Sequence, residues 1–143
     1  MRLKRGFSLF LACLLCSASA YSAERLSFKD KAPSSDILNA VSVSDNYDDW
    51  ITSTIDLNND GLPEKIIKSD RQSCNDKNGC QYIVMAQKGR NWIELGDIKA
   101  FNILVSDDRT YGIRDLLVYA TPNNDFDFER HAWNPRTYRY EAQ

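Results

Sequence analysis

Residues 56–64, DLNNDGLPE in one-letter code, combine acidic side chains with the spacing of a metal-binding loop. Side-chain oxygens stand at relative positions 1, 3, 5 and 9, and Gly61 at position 6 permits the positive φ that a tight turn requires. Calcium takes about six to eight oxygen ligands, and a short acidic loop can supply several of them. The predicted Ca²⁺ ligands are Asp56, Asn58, Asp60, the backbone carbonyl of Leu62, and Glu64.

The residues on either side of this loop argue against an EF-hand. An EF-hand has Glu at position 12 and a helix on each side, whereas position 12 here is Ile67. Residues 50–55 alternate and are rich in β-branched side chains, which predicts a strand, and Pro63 disfavours an exit helix. We therefore expect a calcium-binding turn between two strands. A polar hairpin turn without metal is the alternative, because Asn, Asp and Gly form turns on their own.

The loop, with Ile66 and Ile67 after it, resembles the FG-GAP family, the blade-type repeats of integrin-like propellers and of many secreted bacterial proteins. In that family the residues at positions 1, 3, 5 and 9, with the backbone carbonyl at position 7, hold calcium. The resemblance implies the same ligands here, with Glu64 in place of the commoner Asp.

A second, degenerate copy of the motif follows 51 residues later, since residues 61–67 and 112–118 both read Gly-x-x-acid-x-aliphatic-aliphatic. The positions that align with the first three ligands hold Asp107, Arg109 and Tyr111, so only the first copy is predicted to bind calcium. Two copies cannot close a propeller, which takes at least about four blades. The expected shape is two blade-like antiparallel sheets packed together, or one strongly twisted sheet.

Short apolar or alternating runs separated by turn residues continue along the chain and predict an all-β domain. The predicted strands are 50–55, 64–68, 81–86, 91–95, 101–105, 113–120, 126–130 and 137–141. Polar residues 34–36 predict the cap of one short helix over residues 37–41.

Residues 1–20 have the pattern of a secretory signal peptide, with a basic start, an apolar run over residues 7–15 and a cleavage site ending at Ala20. The apolar run is too short to span a bilayer, which takes about 20 residues. The chain is therefore predicted to be periplasmic or secreted, with a polar segment at residues 21–45 and one β domain at residues 46–143. Lipidation of Cys13, which follows a distantly lipobox-like sequence, is the alternative.

The net charge bears on which partners the chain can bind, and its cysteines bear on whether it contains a disulfide. Three of the 18 basic residues and none of the 20 acidic ones lie in residues 1–20, which leaves a net charge of −5 after cleavage. A negative chain argues against nucleic acid and anionic membranes as partners. Cys74 and Cys80 flank five polar residues, and in an exported protein this spacing predicts a disulfide.

The sequence contains little that indicates catalysis. His131 is the one histidine, and there is no Gly-x-Ser-x-Gly elbow and no Gly-rich phosphate loop. A hydrolase that uses two paired carboxylates, as glycosidases do, is the remaining catalytic alternative, because the chain has 20 acidic residues. The last hairpin instead has a composition typical of binding hot spots. Its candidate partner-binding residues are Trp133, Arg136, Tyr138 and Tyr140, for which packing within the sheet is the alternative.

These patterns together predict a non-catalytic, exported protein-binding module held by one Ca²⁺ ion and one disulfide. The expected partner is another protein of the cell envelope or periplasm. One concrete form is a periplasmic inhibitor or immunity protein against a toxin that attacks the cell envelope. Two alternatives are a small secreted hydrolase that uses paired carboxylates and a lipid-anchored structural protein of the envelope.

Overall fold

A computed structural model describes residues 22–29, 32–41, 50–70, 74, 79–122 and 127–143 of the 143-residue chain. The predicted signal peptide with Cys13, and the centre of the disulfide loop at residues 75–78, lie outside the described residues.

Within the described ranges the chain forms two antiparallel sheets and one short helix, which confirms the all-β prediction. The strands are β1 Ala23–Arg25, β2 Trp50–Ile55, β3 Glu64–Ser69, β4 Cys80–Lys88, β5 Asn91–Ala100, β6 Asn102–Thr110, β7 Ile113–Tyr119, β8 Glu129–Asn134 and β9 Arg139–Ala142. The helix, α1, is Ser35–Ala40. One sheet has the order β2-β3-β4-β5, and the other has the order β1-β6-β7-β8-β9. No helix in the part of the chain described above is long and apolar enough to cross a bilayer.

The two sheets pack face to face around a shared apolar core. Ile66, Val84 and Ile98 enter it from the four-stranded sheet, and Val105 and Leu116 enter it from the five-stranded sheet. This arrangement is a β-sandwich, in which each sheet buries one face against the other.

Helix α1 covers the outer face of the four-stranded sheet. Ile37 of the helix packs with Ile67 and Met85 of that sheet. Because neighbouring residues in a strand point to opposite faces, Ile66 enters the core between the sheets while Ile67 lies under the helix. Burial of both faces accounts for the continuous apolar run in β4.

The strand register places four hairpin turns at one end of the sandwich, which we call the turn end. These turns are residues 56–63, 89–90, 111–112 and 135–138, and they join β2 to β3, β4 to β5, β6 to β7 and β8 to β9. A contact between the sheets fixes their relative direction, since the backbone N–H of Arg114 donates to the carbonyl of Leu57 at 2.9 Å. An ion pair between Arg139 and Glu94 joins the two sheets near the same end.

Three expectations about element boundaries are corrected. Residues 21–45 were expected to lie outside the β domain, but Ala23–Arg25 pairs with β6 as an edge strand. The strand expected at 126–130 is Glu129–Asn134 instead, because Ala132 is buried and pairs with Glu141. The final strand begins at Arg139 rather than residue 137, because Tyr138 has a φ of 56° and leaves the extended conformation.

The predicted disulfide is confirmed between Cys74 and Cys80, whose Cα atoms lie 4.3 Å apart. Gly79 precedes it with a φ of 72°, and a Cβ atom placed there would lie 2.5 Å from the backbone of Ala100. This glycine therefore lets the disulfide loop pass directly against the end of β5.

The two motif copies occupy equivalent hairpins, one in each sheet. Residues 56–63 precede β3 and residues 111–112 precede β7. The aligned acids Glu64 and Asp115 are both buried. The similarity within the sequence therefore corresponds to similar positions in the two sheets.

Candidate calcium loop and turn-end surface

The first half of the loop is shaped by Asp56. Its carboxylate accepts hydrogen bonds from the backbone N–H of Asn59 at 2.6 Å and of Gly61 at 3.0 Å. Both of those residues have positive φ, 62° and 82°, a conformation that Asn and Gly tolerate. The sequence thus forms a tight turn around the side chain at position 1, as a calcium loop requires.

The second half of the loop is held by Asn58 and Asp60. The backbone N–H of Asp60 donates to the Asn58 side-chain oxygen at 2.9 Å, and the Asn58 amide donates to the Asp60 carboxylate at 2.9 Å. The backbone N–H of Leu62 donates to the other Asp60 oxygen at 2.7 Å. These three bonds fix the loop backbone with the same side chains that are predicted to bind metal.

Glu64, the residue at position 9, is only 4% exposed. Its carboxylate accepts a hydrogen bond from the backbone N–H of Leu57 at 2.7 Å. Burial raises the pKa of Glu64, the bond from Leu57 lowers it, and the negative charges of Asp60 and Asp56 raise it further. The loop therefore gathers negative charge around a carboxylate that is partly removed from water.

Leu57 anchors the loop to the sandwich. Its side chain is completely buried in the core between the sheets. Its carbonyl accepts hydrogen bonds from the backbone N–H of Arg114 and, at 3.2 Å, from the guanidinium of Arg109. Arg109 also donates to the carbonyl of Gly112 at 2.9 Å. The arginine that replaces a ligand in the second motif copy thus bridges the two hairpins.

The loop fits calcium in donor type and in backbone shape. All five predicted ligands supply oxygen, which is the donor that calcium prefers. In the described residues, however, no three His, Cys, Asp or Glu side chains converge in a metal-binding geometry. Asn58 and Asp60 would exchange their mutual hydrogen bond for bonds to the ion, while the loop backbone could stay in place.

The predicted partner-binding residues divide into surface and core. Tyr138 is 66% exposed and Arg136 is also exposed, whereas Trp133 is partly buried. Tyr140 is 6% exposed, and its hydroxyl donates to the carbonyl of Arg114 at 2.9 Å. Burial raises the pKa of Tyr140 well above its usual range. Tyr140 therefore packs in the core, which removes it from the candidate surface.

A tyrosine from another hairpin joins the surface residues. Tyr111 lines an open cavity of about 270 Å³ together with Trp133 and Arg136. The ring of Trp133 packs edge-on against Tyr138, with centroids 6.1 Å apart. The proximity of Tyr111 to the last hairpin could not be predicted from the sequence, because the two turns are far apart along the chain.

The exposed apolar side chains of the described residues are concentrated at the turn end. The large hydrophobic residues that are exposed there are Leu62, Ile93, Tyr111 and Tyr138. Leu62 belongs to the candidate calcium loop, and Ile93 lies three residues beyond the turn at 89–90. The candidate metal loop and the candidate binding surface therefore share one end of the sandwich.

In comparisons with known proteins, no family model, no curated protein and no solved structure matches the chain. The FG-GAP resemblance therefore stays a prediction that rests on the loop residues.

Proposed function

We propose that the chain is a non-catalytic binding module of the periplasm or cell surface, whose turn end contacts a protein partner. The observation that carries this proposal is the clustering of Leu62, Ile93, Tyr111 and Tyr138 at that end. All four of the large hydrophobic residues that are exposed in the described part of the chain lie at this one end, and exposed apolar surface gathered on one face is a feature of interaction sites.

One Ca²⁺ ion would stabilise the module at residues 56–64. Asp56, Asn58, Asp60, the carbonyl of Leu62 and Glu64 would hold it, and the ion would supply positive charge beside the buried Glu64. The second motif copy supports this assignment, because its aligned acid Asp115 receives a hydrogen bond from the Arg130 guanidinium at 2.8 Å. Calcium would provide for Glu64 the charge that Arg130 provides for Asp115.

Calcium binding would also affect the surface itself. The backbone carbonyl of Leu62 is a proposed ligand, while its side chain is among the exposed apolar groups of the turn end. Fixing the carbonyl would therefore fix the direction of the side chain. The ion would order part of the binding surface as well as stabilise the fold.

A periplasmic inhibitor or immunity protein is the specific form of this proposal. Four hairpin turns lie at one end of the sandwich, and an inhibitor of this kind would use them to enter the cleft of a partner enzyme. The signal-like residues 1–20 support an exported location, and the disulfide is compatible with it.

A capture experiment tests the proposed function. The tagged chain without residues 1–20 is mixed with cell-envelope extract in calcium or in EDTA, beside the double variant Leu62→Ser/Tyr138→Ser and the control Lys99→Ser. Lys99 is exposed near the opposite end of β5. We expect one protein to be retained by the wild type and the control and lost from the double variant. Equal retention by all three, or none by any, contradicts the proposal.

A further inference from the structure

A cavity of about 330 Å³ opens on the five-stranded sheet, at the end of the sandwich opposite the turn end. We call it the Arg25 cavity, and its lining includes Arg25 of β1, Phe101 between β5 and β6, Asn102 and Leu104 of β6, and Tyr119 of β7. Ligand pockets in proteins have volumes of about 300 to 1,000 Å³, so this cavity has room for one small group.

The strand register shows which face of the sheet carries these side chains. Ile103 enters the core between the sheets, so Asn102 and Leu104 on either side of it point to the outer face. Tyr119 lies directly opposite Asn102, and Arg25 lies directly opposite Leu104. Residues opposite each other in a sheet share a face, and the side chains from all three strands therefore meet on the outer face.

The walls of the cavity are held in place by the fold. The backbone N–H of Phe101 donates to the carbonyl of Tyr119 at 2.8 Å, which ties the turn before β6 to the end of β7. The ring of Tyr119 packs against Phe128, with centroids 5.8 Å apart. Leu26 packs against the core and so anchors the chain directly after Arg25. The cavity is therefore formed without a ligand.

The Arg25 cavity has one charged side chain in its lining, and that side chain is a cation. Arg25 is exposed, and its guanidinium forms no hydrogen bond or ion pair with another described residue. The neighbouring Glu24 points to the opposite face and is paired with Arg114. Asp127 lines a different cavity, together with Phe128. The charge that the Arg25 cavity offers to a ligand is therefore positive.

The other walls combine apolar surface with a hydrogen-bond donor. Phe101, Leu104 and Pro122 supply apolar surface. The side-chain oxygen of Asn102 accepts a hydrogen bond from the backbone N–H of Ile103 at 3.0 Å, while its amide nitrogen donates to no described residue. A few polar groups beside apolar walls are the usual composition of a ligand site. A ligand that fits this lining has an apolar group beside a carboxylate, the anion whose geometry matches a guanidinium.

The lining also discriminates between kinds of carboxylate. A free amino acid has an ammonium group beside its carboxylate, and no acid of the lining would neutralise that group where it lies close to Arg25. In the last residue of a peptide the same nitrogen belongs to a neutral amide. The cavity therefore suits a C-terminal residue better than it suits a free amino acid.

We propose that the Arg25 cavity binds the C-terminal residue of a peptide or protein that ends in an aromatic or branched aliphatic side chain. The guanidinium of Arg25 donates two hydrogen bonds to the terminal carboxylate. The amide of Asn102 donates to the same group, and the apolar side chain lies against Leu104 and Tyr119. The site is at the end opposite the turn end, so this inference goes beyond the proposed function and does not depend on it.

The ligand class is tested with probes that differ by one group. The isotope-labelled chain without residues 1–20 is titrated with N-acetyl-L-phenylalanine, and the backbone amide resonances are followed by NMR. A ligand of about 15 non-hydrogen atoms and ordinary efficiency has a dissociation constant of about 0.5 mM. We expect the resonances of Arg25, Asn102 and Tyr119 to shift. The uncharged amide of the probe, N-acetylglycine and free phenylalanine should each bind at least about tenfold more weakly.

Variants of the cavity test the residues. Arg25→Gln should weaken the binding of N-acetyl-L-phenylalanine at least about tenfold, because a charged hydrogen-bond donor is lost. Asn102→Asp keeps the shape and the acceptor for Ile103 but adds a negative charge beside the ligand, so it should weaken binding as much. Lys29→Gln removes the same charge from an exposed residue outside the lining and should bind as wild type does. All three substituted residues are exposed, so the fold should persist.

A longer probe separates a peptide end from a small acid. An acetylated tripeptide of two alanines and a final phenylalanine should bind at least as tightly as N-acetyl-L-phenylalanine. Weaker binding of the tripeptide would make a small acid the ligand, and equal binding of free phenylalanine would make a free amino acid the ligand. Either result overturns the assignment to a peptide end.

Three other results overturn the inference as a whole. These are no shift of the cavity resonances at about twenty times the expected dissociation constant, equal binding of the uncharged amide, and unchanged binding by Arg25→Gln. Envelope capture through the turn end should be the same in Arg25→Gln as in wild type. Failure of this inference can therefore be distinguished from failure of the proposed function.

Discussion

Replacing Leu57 with alanine should destabilise the protein far more than the same replacement at Leu62. The two leucines lie five positions apart in one loop, but Leu57 is 0% exposed and Leu62 is 60% exposed. Truncation of a buried leucine costs about 3 kcal/mol, from lost burial and from the cavity left behind. In a domain of this size that loss lowers the melting temperature by about 10 °C. The exposed leucine should change the free energy of unfolding by less than about 0.5 kcal/mol.

Urea unfolding followed by tryptophan fluorescence measures both free energies. The midpoint for Leu57→Ala should fall while the slope m stays at the wild-type value, which would indicate a loss of stability without a change in the unfolded state. If Leu57→Ala does not fold, Leu57→Val should still cost about 1 kcal/mol. Equal effects at Leu57 and Leu62, or a loss below about 1 kcal/mol at Leu57, would show that the loop is not anchored in the core as described.

Two further predictions concern turns outside the loop. Gly79→Ala should destabilise the protein by several kcal/mol, because the new Cβ atom would collide with the backbone at the end of β5. Gly112 has open space around it, so Gly112→Ala should cost only about 1 kcal/mol of backbone strain. Similar losses of stability for the two variants in thermal melts would refute this reasoning. Hydrogen bonds to Glu141 from the Thr137 hydroxyl and the Asn134 amide lower the pKa of that carboxyl. Their contribution is complete above the unfolded pKa of about 4.5 and is lost as the pH falls through the lower folded value. Between pH 7 and 3 wild type should therefore lose more stability than Glu141→Gln, and parallel curves of melting temperature against pH would contradict this.

Local patterns in the sequence predicted most of the strands and the turn at residues 56–63. Turn residues such as those in 56–63 and at Gly89 act over a few positions, so they can be recognised without knowledge of the fold. The short helix was predicted from its polar cap in the same way. The packing of two sheets on each other was one of the two expected shapes, and patterns within single strands did not decide between it and one strongly twisted sheet.

Contacts between distant residues could not be predicted in this way. Arg109 and Leu57 lie 52 positions apart, and no local rule brings them together. Tyr138 and Tyr140 would share a face in a regular strand, yet one is exposed and the other buried. The left-handed backbone at Tyr138 breaks the alternation just before β9 begins, and sequence alternation alone does not reveal such a residue.

Most directly, the role of residues 56–64 is tested by the melting temperature of the oxidised chain in EDTA and then in 10 mM calcium. If the dissociation constant is about 10⁻⁴ to 10⁻³ M, as in extracellular calcium modules, binding adds about 1.4 to 2.7 kcal/mol. The melting temperature should then rise by about 5 to 10 °C. Asp60→Ala removes one ligand, and Asp108→Ala removes an exposed acid of β6 as the matched control.

The account predicts that wild type and Asp108→Ala gain this stability in calcium while Asp60→Ala does not. A wild-type melting temperature that is the same in calcium and in EDTA, or an equal gain in Asp60→Ala, would contradict it. The loop would then be a polar hairpin turn held by its own hydrogen bonds.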